Sequence, residues 1–291
     1  MQNTKVWFVT GASKGLGLTL VRQLLSLGHK VAATSRNVGE LEKAVGAKGG
    51  NLIEGRGEAA VEEWGGLLPL QVDITKDESV KEAVRKAVEK FGRLDVVVNN
   101  AGYSLFGSME EVSAVEFQQS LDVNVTGPVN VIRAAMPYLR EQRSGHVINI
   151  SSLAGYKGYG NAASYCTAKF AIVGLSESLA EEAKAFGIKV TVVAPGYFRT
   201  SFLDKGSLVI AKNRVSEYNM DQLVTMMKQM DGNQPGDPDK LVKALVRITE
   251  DKNPPVHLLM GPDAYQTVVE KREVDEIEMK AWKSTSISTN F

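Results

Sequence analysis

The stretch KVWFVTGASKGLGL, residues Lys5–Leu18, decides the fold of this 291-residue chain. Its apolar run Val6–Val9 predicts a strand that is buried on both faces. Gly11, Gly15 and Gly17 follow, and the next apolar residues recur at helical spacing. A strand, a glycine turn and a helix in this order direct backbone N–H groups and a helix N-terminus at one point. The stretch therefore predicts an anion site suited to a pyrophosphate.

A glycine-rich connection with no ligand is the alternative interpretation of this turn. Its place after a first strand, within a strand–helix–strand unit, favours a nucleotide. The spacing Thr-Gly-x-x-x-Gly-x-Gly, complete from Thr10 to Gly17, resembles the fingerprint of the short-chain dehydrogenase/reductase family. The resemblance implies that the cofactor contacts in this stretch are Thr10, Gly11, Ser13, Lys14, Gly15, Leu16 and Gly17.

Composition excludes several other classes of function. The chain is 43% hydrophobic and carries 34 basic and 34 acidic residues, so nothing in its charge favours nucleic acid or a membrane surface. A first strand near Lys5 leaves no room for a signal peptide, and no apolar run is long enough to span a bilayer. Cys166 is the only cysteine, and His29, His146 and His257 lack metal-ligand spacing. We expect a cytoplasmic protein with no metal site and no internal disulfide.

The second predicted strand, residues 29–35, ends at the position that faces the adenosine ribose in a dinucleotide fold. A carboxylate there would exclude a 2′-phosphate, whereas this sequence has Ser35 and Arg36, with Lys14 in the glycine loop. Two cations and a hydroxyl favour NADP(H), and basic residues at these places imply the same in the family. The alternative is that Arg36 is a solvated loop residue.

Strands and helices alternate along the rest of the chain, which predicts an α/β fold with a Rossmann-type, doubly wound parallel sheet in a single domain, residues 1–291. The predicted strands are 67–72, 94–98, 147–150, 188–193 and 256–260, and the predicted helices are 38–45, 76–91, 112–140, 163–186 and 238–249. Pro128 should interrupt the helix at 112–140. Residues 48–66, with six glycines, are predicted to form a surface insertion without a catalytic role.

Three residues carry the candidate chemistry. Tyr165 and Lys169 lie four apart on a predicted helix, and Ser152 precedes Tyr165 by thirteen residues at the end of a predicted strand. Carbonyl reduction by hydride needs a proton donor, and a neighbouring ammonium should lower the pKa of the Tyr165 phenol. Tyr165 is then the general acid, Lys169 tunes it and binds the nicotinamide ribose, and Ser152 donates to the substrate oxygen.

The spacing of Ser152, Tyr165 and Lys169 resembles the short-chain dehydrogenase/reductase family, as does the Asn-Asn-Ala-Gly motif at residues 99–102. The resemblance spans Lys5 to Thr200 and implies that Asn124 holds a proton-relaying water, with a polar helix-break residue as its alternative. It also implies an adenine contact for Asp73, for which helix capping is the competing role. The further implied cofactor contacts are Asn100, Ala101, Gly102, Tyr165, Lys169, Pro195, Gly196 and Thr200.

The sequence therefore predicts an NADP(H)-dependent carbonyl reductase or alcohol dehydrogenase. Residues 198–234 should cover a hydrophobic carbonyl or alcohol substrate, and residues 262–291 form a C-terminal extension. The apolar wall is predicted to comprise Phe198, Phe202, Leu203, Leu208, Val209 and Ile210, while the methionines at 226, 227 and 230 belong either to a pliable lid or to a helix core. The alternatives are a ketoacyl-carrier-protein-type reductase, disfavoured by chain length, and a non-catalytic NADP(H)-binding regulator. The family resemblance implies a homodimer or homotetramer built on the helices near 112–140 and 163–186.

Overall fold

Seven parallel strands form one sheet in the computed structural model, which describes residues 4–46, 65–203 and 206–291. The strand order is β3-β2-β1-β4-β6-β7-β9, so the direction of winding reverses between β1 and β4. The strands are β1 Val6–Val9, β2 Lys30–Ser35, β3 Leu67–Gln71, β4 Val96–Asn99, β6 Gly145–Ile150, β7 Ile188–Pro195 and β9 His257–Met260. In an open parallel sheet, ligands bind at the carboxyl ends of the strands beside such a reversal.

Helices cover both faces of the sheet, as the alternating apolar pattern requires. They are α1 Gly15–Ser26, α2 Val38–Gly46, α3 Asp77–Phe91, α4 Ala114–Leu121, α5 Gly127–Gln142, α6 Ala163–Lys184, α7 Met220–Met230, α8 Pro238–Ile248, α9 Pro262–Ala281 and α10 Lys283–Ser286. Trp7 and Val9 point to the face that α1, α2 and α8 cover, whereas Phe8 points to the face of α3, α5 and α6. Both cores are thus fully buried, and the predicted doubly wound fold is confirmed.

The interruption predicted within the helix at 112–140 is confirmed, whereas the predicted start of this helix is too early. It begins at Ala114, where Ser113 and Glu116 form a capping box, and a π-helical turn at Asp122–Thr126 separates α4 from α5. Pro128 has no N–H to donate to the carbonyl of Asn124, which explains a widened turn here in place of a simple kink.

The structure adds three features, of which only a helix at the methionines was among the alternatives drawn from the sequence. β5 (Ser104–Phe106) pairs in parallel with β8 (Leu208–Ile210) in a small second sheet, α7 forms within the substrate-covering segment, and the C-terminal extension is mostly helical. The predicted insertion at 48–66 lies outside the described residues except for Gly65 and Gly66. Of the helices in the described ranges, none combines the length and the apolar character that crossing a bilayer requires.

Candidate functional site

Thr10 joins the carboxyl ends of β1 and β4, at the reversal of the sheet. Its buried hydroxyl accepts the N–H groups of Asn100 and Ala101, each at 3.0 Å, and donates to the Val98 carbonyl at 3.3 Å. The Asn100 amide donates in turn to the carbonyls of Thr10 and Gly11, at 2.9 and 3.1 Å. Because these partners occupy the Thr10 hydroxyl, Thr10 holds the start of the glycine loop against the segment that follows β4.

Glycine is required at two positions of the loop. Gly11 has a φ of +65°, and a Cβ there would lie 2.7 Å from the Ala101 Cα. A Cβ on Gly17 would lie 2.4 Å from the Gly11 carbonyl oxygen. At the start of α1 the Lys14 side chain makes no capping hydrogen bond, so it leaves the N–H groups of the first turn to other acceptors. This side-chain-free cradle at a helix N-terminus fits a pyrophosphate.

The chain that leaves β7 forms the second wall of the cradle. The Ser201 hydroxyl lies 3.3 Å, and the Thr200 Cβ 3.9 Å, from the position of a Cβ on Gly15. Lys14 Nζ lies 3.9 Å from the corresponding position on Gly206. The structure thus brings the predicted contacts Lys14, Gly15 and Thr200 together and adds Ser201, which no sequence pattern indicated.

At the end of β2, Arg36 is exposed and has no ion pair or hydrogen bond within the described ranges. The Ser35 hydroxyl accepts the Asn37 N–H at 3.2 Å and so shapes the turn that carries Arg36. Asp73 is exposed, and its carboxylate accepts the N–H and the hydroxyl of Thr75 at 3.0 and 2.7 Å. Asp73 therefore stabilises the turn before α3, which is the local role weighed against an adenine contact.

Ser152, Tyr165 and Lys169 converge at the carboxyl end of β6. Ser152 precedes a short 3₁₀ turn at Leu153–Gly155, and its hydroxyl interacts with the Tyr165 phenol. Lys169 Nζ lies 5.6 Å from the centroid of the Tyr165 ring and donates to the Ile150 carbonyl at 2.9 Å. Because α6 places Tyr165 and Lys169 one turn apart, both side chains face the same buried corner.

Burial governs the protonation of this group. It raises the pKa of Tyr165, which the hydrogen bond with Ser152 partly opposes, and it lowers the pKa of Lys169 to about 8. The pKa of Tyr165 is therefore raised and not lowered as expected, because desolvation of the phenolate outweighs the hydrogen bond from Ser152. Tyr165 therefore holds its proton at neutral pH, as a general acid must.

Asn124 occupies the π-helical turn and is fully buried. Its amide oxygen accepts the Tyr103 N–H at 3.1 Å, and its amide nitrogen donates to the carbonyls of Tyr103 and Ser120, each at 3.0 Å. The side chain is therefore committed to protein partners. The amide oxygen also lies 2.6 Å from the position of a Cβ on Gly102, so only glycine fits there.

Two phenylalanines flank the Tyr165 ring. The Phe106 ring is nearly parallel to it, with centroids 6.3 Å apart, and the Phe202 ring lies 6.0 Å away. Phe202 belongs to the predicted apolar wall, whereas Phe106 was missed because its short strand β5 carries only three residues. Two aromatic side chains thus lie next to the Tyr165 ring.

The covering segment is fixed along its middle part. β8 pairs with β5, the buried Glu111 carboxylate accepts the Val215 N–H at 3.0 Å, and Glu116 accepts the Lys212 N–H at 3.1 Å. In α7, Met220 is buried, Met227 and Met230 are half-buried, and Met226 is 52% exposed. The methionines at 226, 227 and 230 are therefore not a helix core.

Comparisons with known proteins agree with this geometry. Residues 5–207 match the family model described as short chain dehydrogenase. The chain is 34% identical to Oxidoreductase BOA17 of Botryotinia fuckeliana, over 98% of this chain and 99% of that protein. It matches a short-chain dehydrogenase structure from Streptomyces avermitilis with a TM-score of 0.85 and 29% identity, covering 99% and 100% of the two chains.

Two further solved structures carry different cofactors. ElxO with NADP bound matches with a TM-score of 0.68 and 29% identity, covering 89% of this chain and 97% of its own. A Burkholderia phymatum short chain dehydrogenase/reductase in complex with NAD matches with a TM-score of 0.79 and 22% identity, covering 95% of each chain. At 22% identity, the similarity to the Burkholderia phymatum structure supports the fold alone and says nothing about the cofactor of this chain.

Proposed function

The chain belongs to the short-chain dehydrogenase/reductase family, and on that premise we propose that it is an NADP(H)-dependent reductase of hydrophobic ketones or aldehydes, or the reverse secondary-alcohol dehydrogenase. The observation that carries the proposal is the buried corner of Ser152, Tyr165 and Lys169 beside a glycine cradle. A bound nicotinamide cofactor would supply the hydride. The rest of the chemistry falls to this chain's own side chains.

Tyr165 would give its proton to the substrate oxygen in reduction and take it back in oxidation. The Ser152 hydroxyl would donate to the same oxygen and stabilise the negative charge that develops on it. The buried ammonium of Lys169 favours the phenolate that remains after proton transfer, and it would also bond a ribose hydroxyl. Phe106 and Phe202 exclude water from the phenol and favour an apolar substrate beside it.

The preference for NADP(H) is supported by charge. Lys14 and Arg36 are exposed cations on the glycine loop and at the end of β2, and no carboxylate stands at position 35 or 36 to repel a 2′-phosphate. Within the described part of the chain the Arg36 guanidinium has no protein partner, so it is available to bind a phosphate.

A panel of ketones and aldehydes, scored by NADPH consumption, tests the proposal. Tyr165→Phe should lower turnover by at least about a thousandfold while the NADPH dissociation constant changes little, because the phenol carries the proton and little of the binding. Tyr156→Phe is the matched control, since it removes a half-buried hydroxyl whose partner, at 2.6 Å, is His257 Nδ1. Near-normal turnover by Tyr165→Phe would refute the assignment.

The same panel separates the two alternatives. Preferred turnover of a β-ketoacyl thioester on a carrier protein would identify a ketoacyl-carrier-protein-type reductase. Tight NADPH binding with no turnover of any carbonyl would identify a binding protein. Intact Ser152, Tyr165 and Lys169 favour the enzyme over the second outcome.

We further propose that the enzyme is a homodimer or homotetramer. On α6, Phe170 is 45% exposed, and among the described residues no atom outside the adjoining helix backbone lies within 4 Å of the Cβ position of Gly174, which leaves an open face for a second helix. Light scattering at micromolar concentration tests this, and Phe170→Glu should shift the protein toward the monomer. A wild-type monomer would refute the proposal.

A further inference from the structure

The C-terminal extension folds back onto the end of β7, beside the catalytic corner. Gly196 donates its N–H to the Met260 carbonyl at 2.9 Å, and Tyr197 donates its N–H to the Asp263 carboxylate at 2.7 Å. Two successive peptide groups that leave β7 are therefore held by the segment from β9 to α9. Asp263 lies in the first turn of α9, whose Ala264 and Val268 are buried against the protein.

The Asp263 carboxylate sits in a space that two glycines leave open. A Cβ on Gly196 would lie 2.1 and 2.2 Å from its two oxygens. A Cβ on Gly261, which has a φ of +100°, would lie 2.5 Å from one of them. An acidic residue in a first turn is common because the helix dipole favours it, but such a residue needs no cradle. The close fit on both sides indicates a specific contact between α9 and the Gly196–Tyr197 peptide.

This peptide leads directly to the site. β7 pairs with β6, and Ser151, the neighbour of Ser152, donates its N–H to the Val193 carbonyl at 2.7 Å. The Tyr197 carbonyl accepts the Gly236 N–H at 2.9 Å, and its ring is 44% exposed. A shift of the peptide would therefore move both the Tyr197 side chain and the end of β7, which pairs with the strand that leads to Ser152.

We propose that Asp263 is a positioning residue of the reductase site, whose carboxylate fixes the Gly196–Tyr197 peptide and so places both the cofactor-facing end of β7 and the Tyr197 ring. The inference rests on the proposed function and deepens it, because it gives the C-terminal extension a part in catalysis. Asp263 does not touch the reacting atoms and acts through the backbone of residues 196 and 197.

The test compares Asp263→Ala with Asp263→Asn in the full-length protein. A hydrogen bond to a charged acceptor is worth roughly ten- to a hundredfold in an equilibrium constant. Asp263→Ala should lower kcat/KM for the best carbonyl about tenfold or more and raise the NADPH dissociation constant several-fold. Asp263→Asn keeps an oxygen acceptor of the same size and should stay within about threefold of wild type on both measurements.

Asp251→Ala is the matched control, because the Asp251 carboxylate also accepts a backbone N–H, that of Asn253 at 2.8 Å, at the opposite end of β9. It should lower the melting temperature without changing either constant. Wild-type constants in Asp263→Ala, or an Asn variant as impaired as the Ala variant, would overturn the inference.

A double-mutant cycle tests the same contact from the side of Gly196. Gly196→Ala alone pushes a methyl group into the Asp263 carboxylate and should weaken NADPH binding. In the Asp263→Ala background the methyl group no longer meets a carboxylate, so Gly196→Ala should weaken NADPH binding much less there. The same fold-loss of NADPH affinity from Gly196→Ala in both backgrounds would overturn the inference. NADPH binding by fluorescence needs no substrate, so a wild type inactive on every carbonyl would refute the proposed function while these binding constants still decide the role of Asp263.

Discussion

Lys169→Met should abolish turnover and make the protein more stable at neutral pH. Lys169 is buried, with 6% of its surface exposed, and its Nζ donates to the Ile150 carbonyl at 2.9 Å. Burial lowers its pKa from 10.5 to about 8. At 1.36 kcal/mol for each pH unit between the two values, keeping the charged form in the fold costs about 3 kcal/mol.

The sign follows from which state holds the proton. Below pH 8 the ammonium is charged in both the folded and the unfolded state, and the cost is fully present. Between pH 8 and 10.5 the folded state loses the proton first, so the cost fades, to under about 1 kcal/mol at pH 10. Methionine removes the cost at every pH but leaves the Ile150 carbonyl without its donor, at about 1 kcal/mol. The net gain at pH 7 is therefore about 2 kcal/mol.

Thermal unfolding at equal protein concentration checks this. For a chain of this size a gain of about 2 kcal/mol should raise Tm by roughly 4–8 °C at pH 7, and the difference should vanish or reverse at pH 10. Lys43→Met, on the exposed side of α2, is the control and should show no such pH dependence. A variant less stable than wild type at pH 7, or a difference equal at both pH values, would refute the reasoning.

Four further predictions follow from the site. Arg36→Ala should raise KM for NADPH about tenfold or more and leave KM for NADH nearly unchanged, whereas Arg247→Ala should change neither; equal weakening of both cofactors would refute the NADP(H) preference. Adding Ser35→Asp should reverse that preference, measured from kcat/KM with each cofactor. Gly11→Ala should lose cofactor binding in a fluorescence titration, because the methyl group meets the Ala101 backbone at 2.7 Å, and wild-type affinity would contradict this. Deleting residues 48–64 should leave the kinetic constants within a few-fold, since loop length costs only about 0.6 kcal/mol per doubling; a folded deletion that fails to bind NADPH would show that the segment reaches the site.

Much of the fold could be predicted because β1 and most of β4 are continuous apolar runs and the turns that follow them carry their own signals. Val6–Val9 and the glycines after it needed no tertiary information, and neither did the four-residue spacing of Tyr165 and Lys169. The pairing of β5 with β8 could not be predicted in this way. It joins two runs of three residues about a hundred positions apart, and its stability comes from contacts that neither run reveals alone.

Neither the direction of the Tyr165 pKa shift nor the packing of the C-terminal helix could be predicted from the sequence. The reasons differ. The direction of the Tyr165 pKa depends on how deeply the phenol is buried, which spacing does not give. α9 carries charged residues around most of its circumference, so it lacks the apolar stripe that marks a packed helix. Asp263 then appears in the sequence as an ordinary acid after a proline, and only the two glycines facing it reveal its contact.

The attachment of β8 to β5 and of Val215 to Glu111 divides the covering segment into parts that can change at different cost. Residues 208–215 share hydrogen bonds with the arm that follows the Asn-Asn-Ala-Gly motif, so altering them disturbs the cofactor side of the site. α7 has a single buried residue, Met220, and can be rewritten with little penalty to the fold. Substitutions that change substrate preference, whether natural or designed, should therefore be tolerated best at residues 220–230. They would leave Ser152, Tyr165 and Lys169 unchanged.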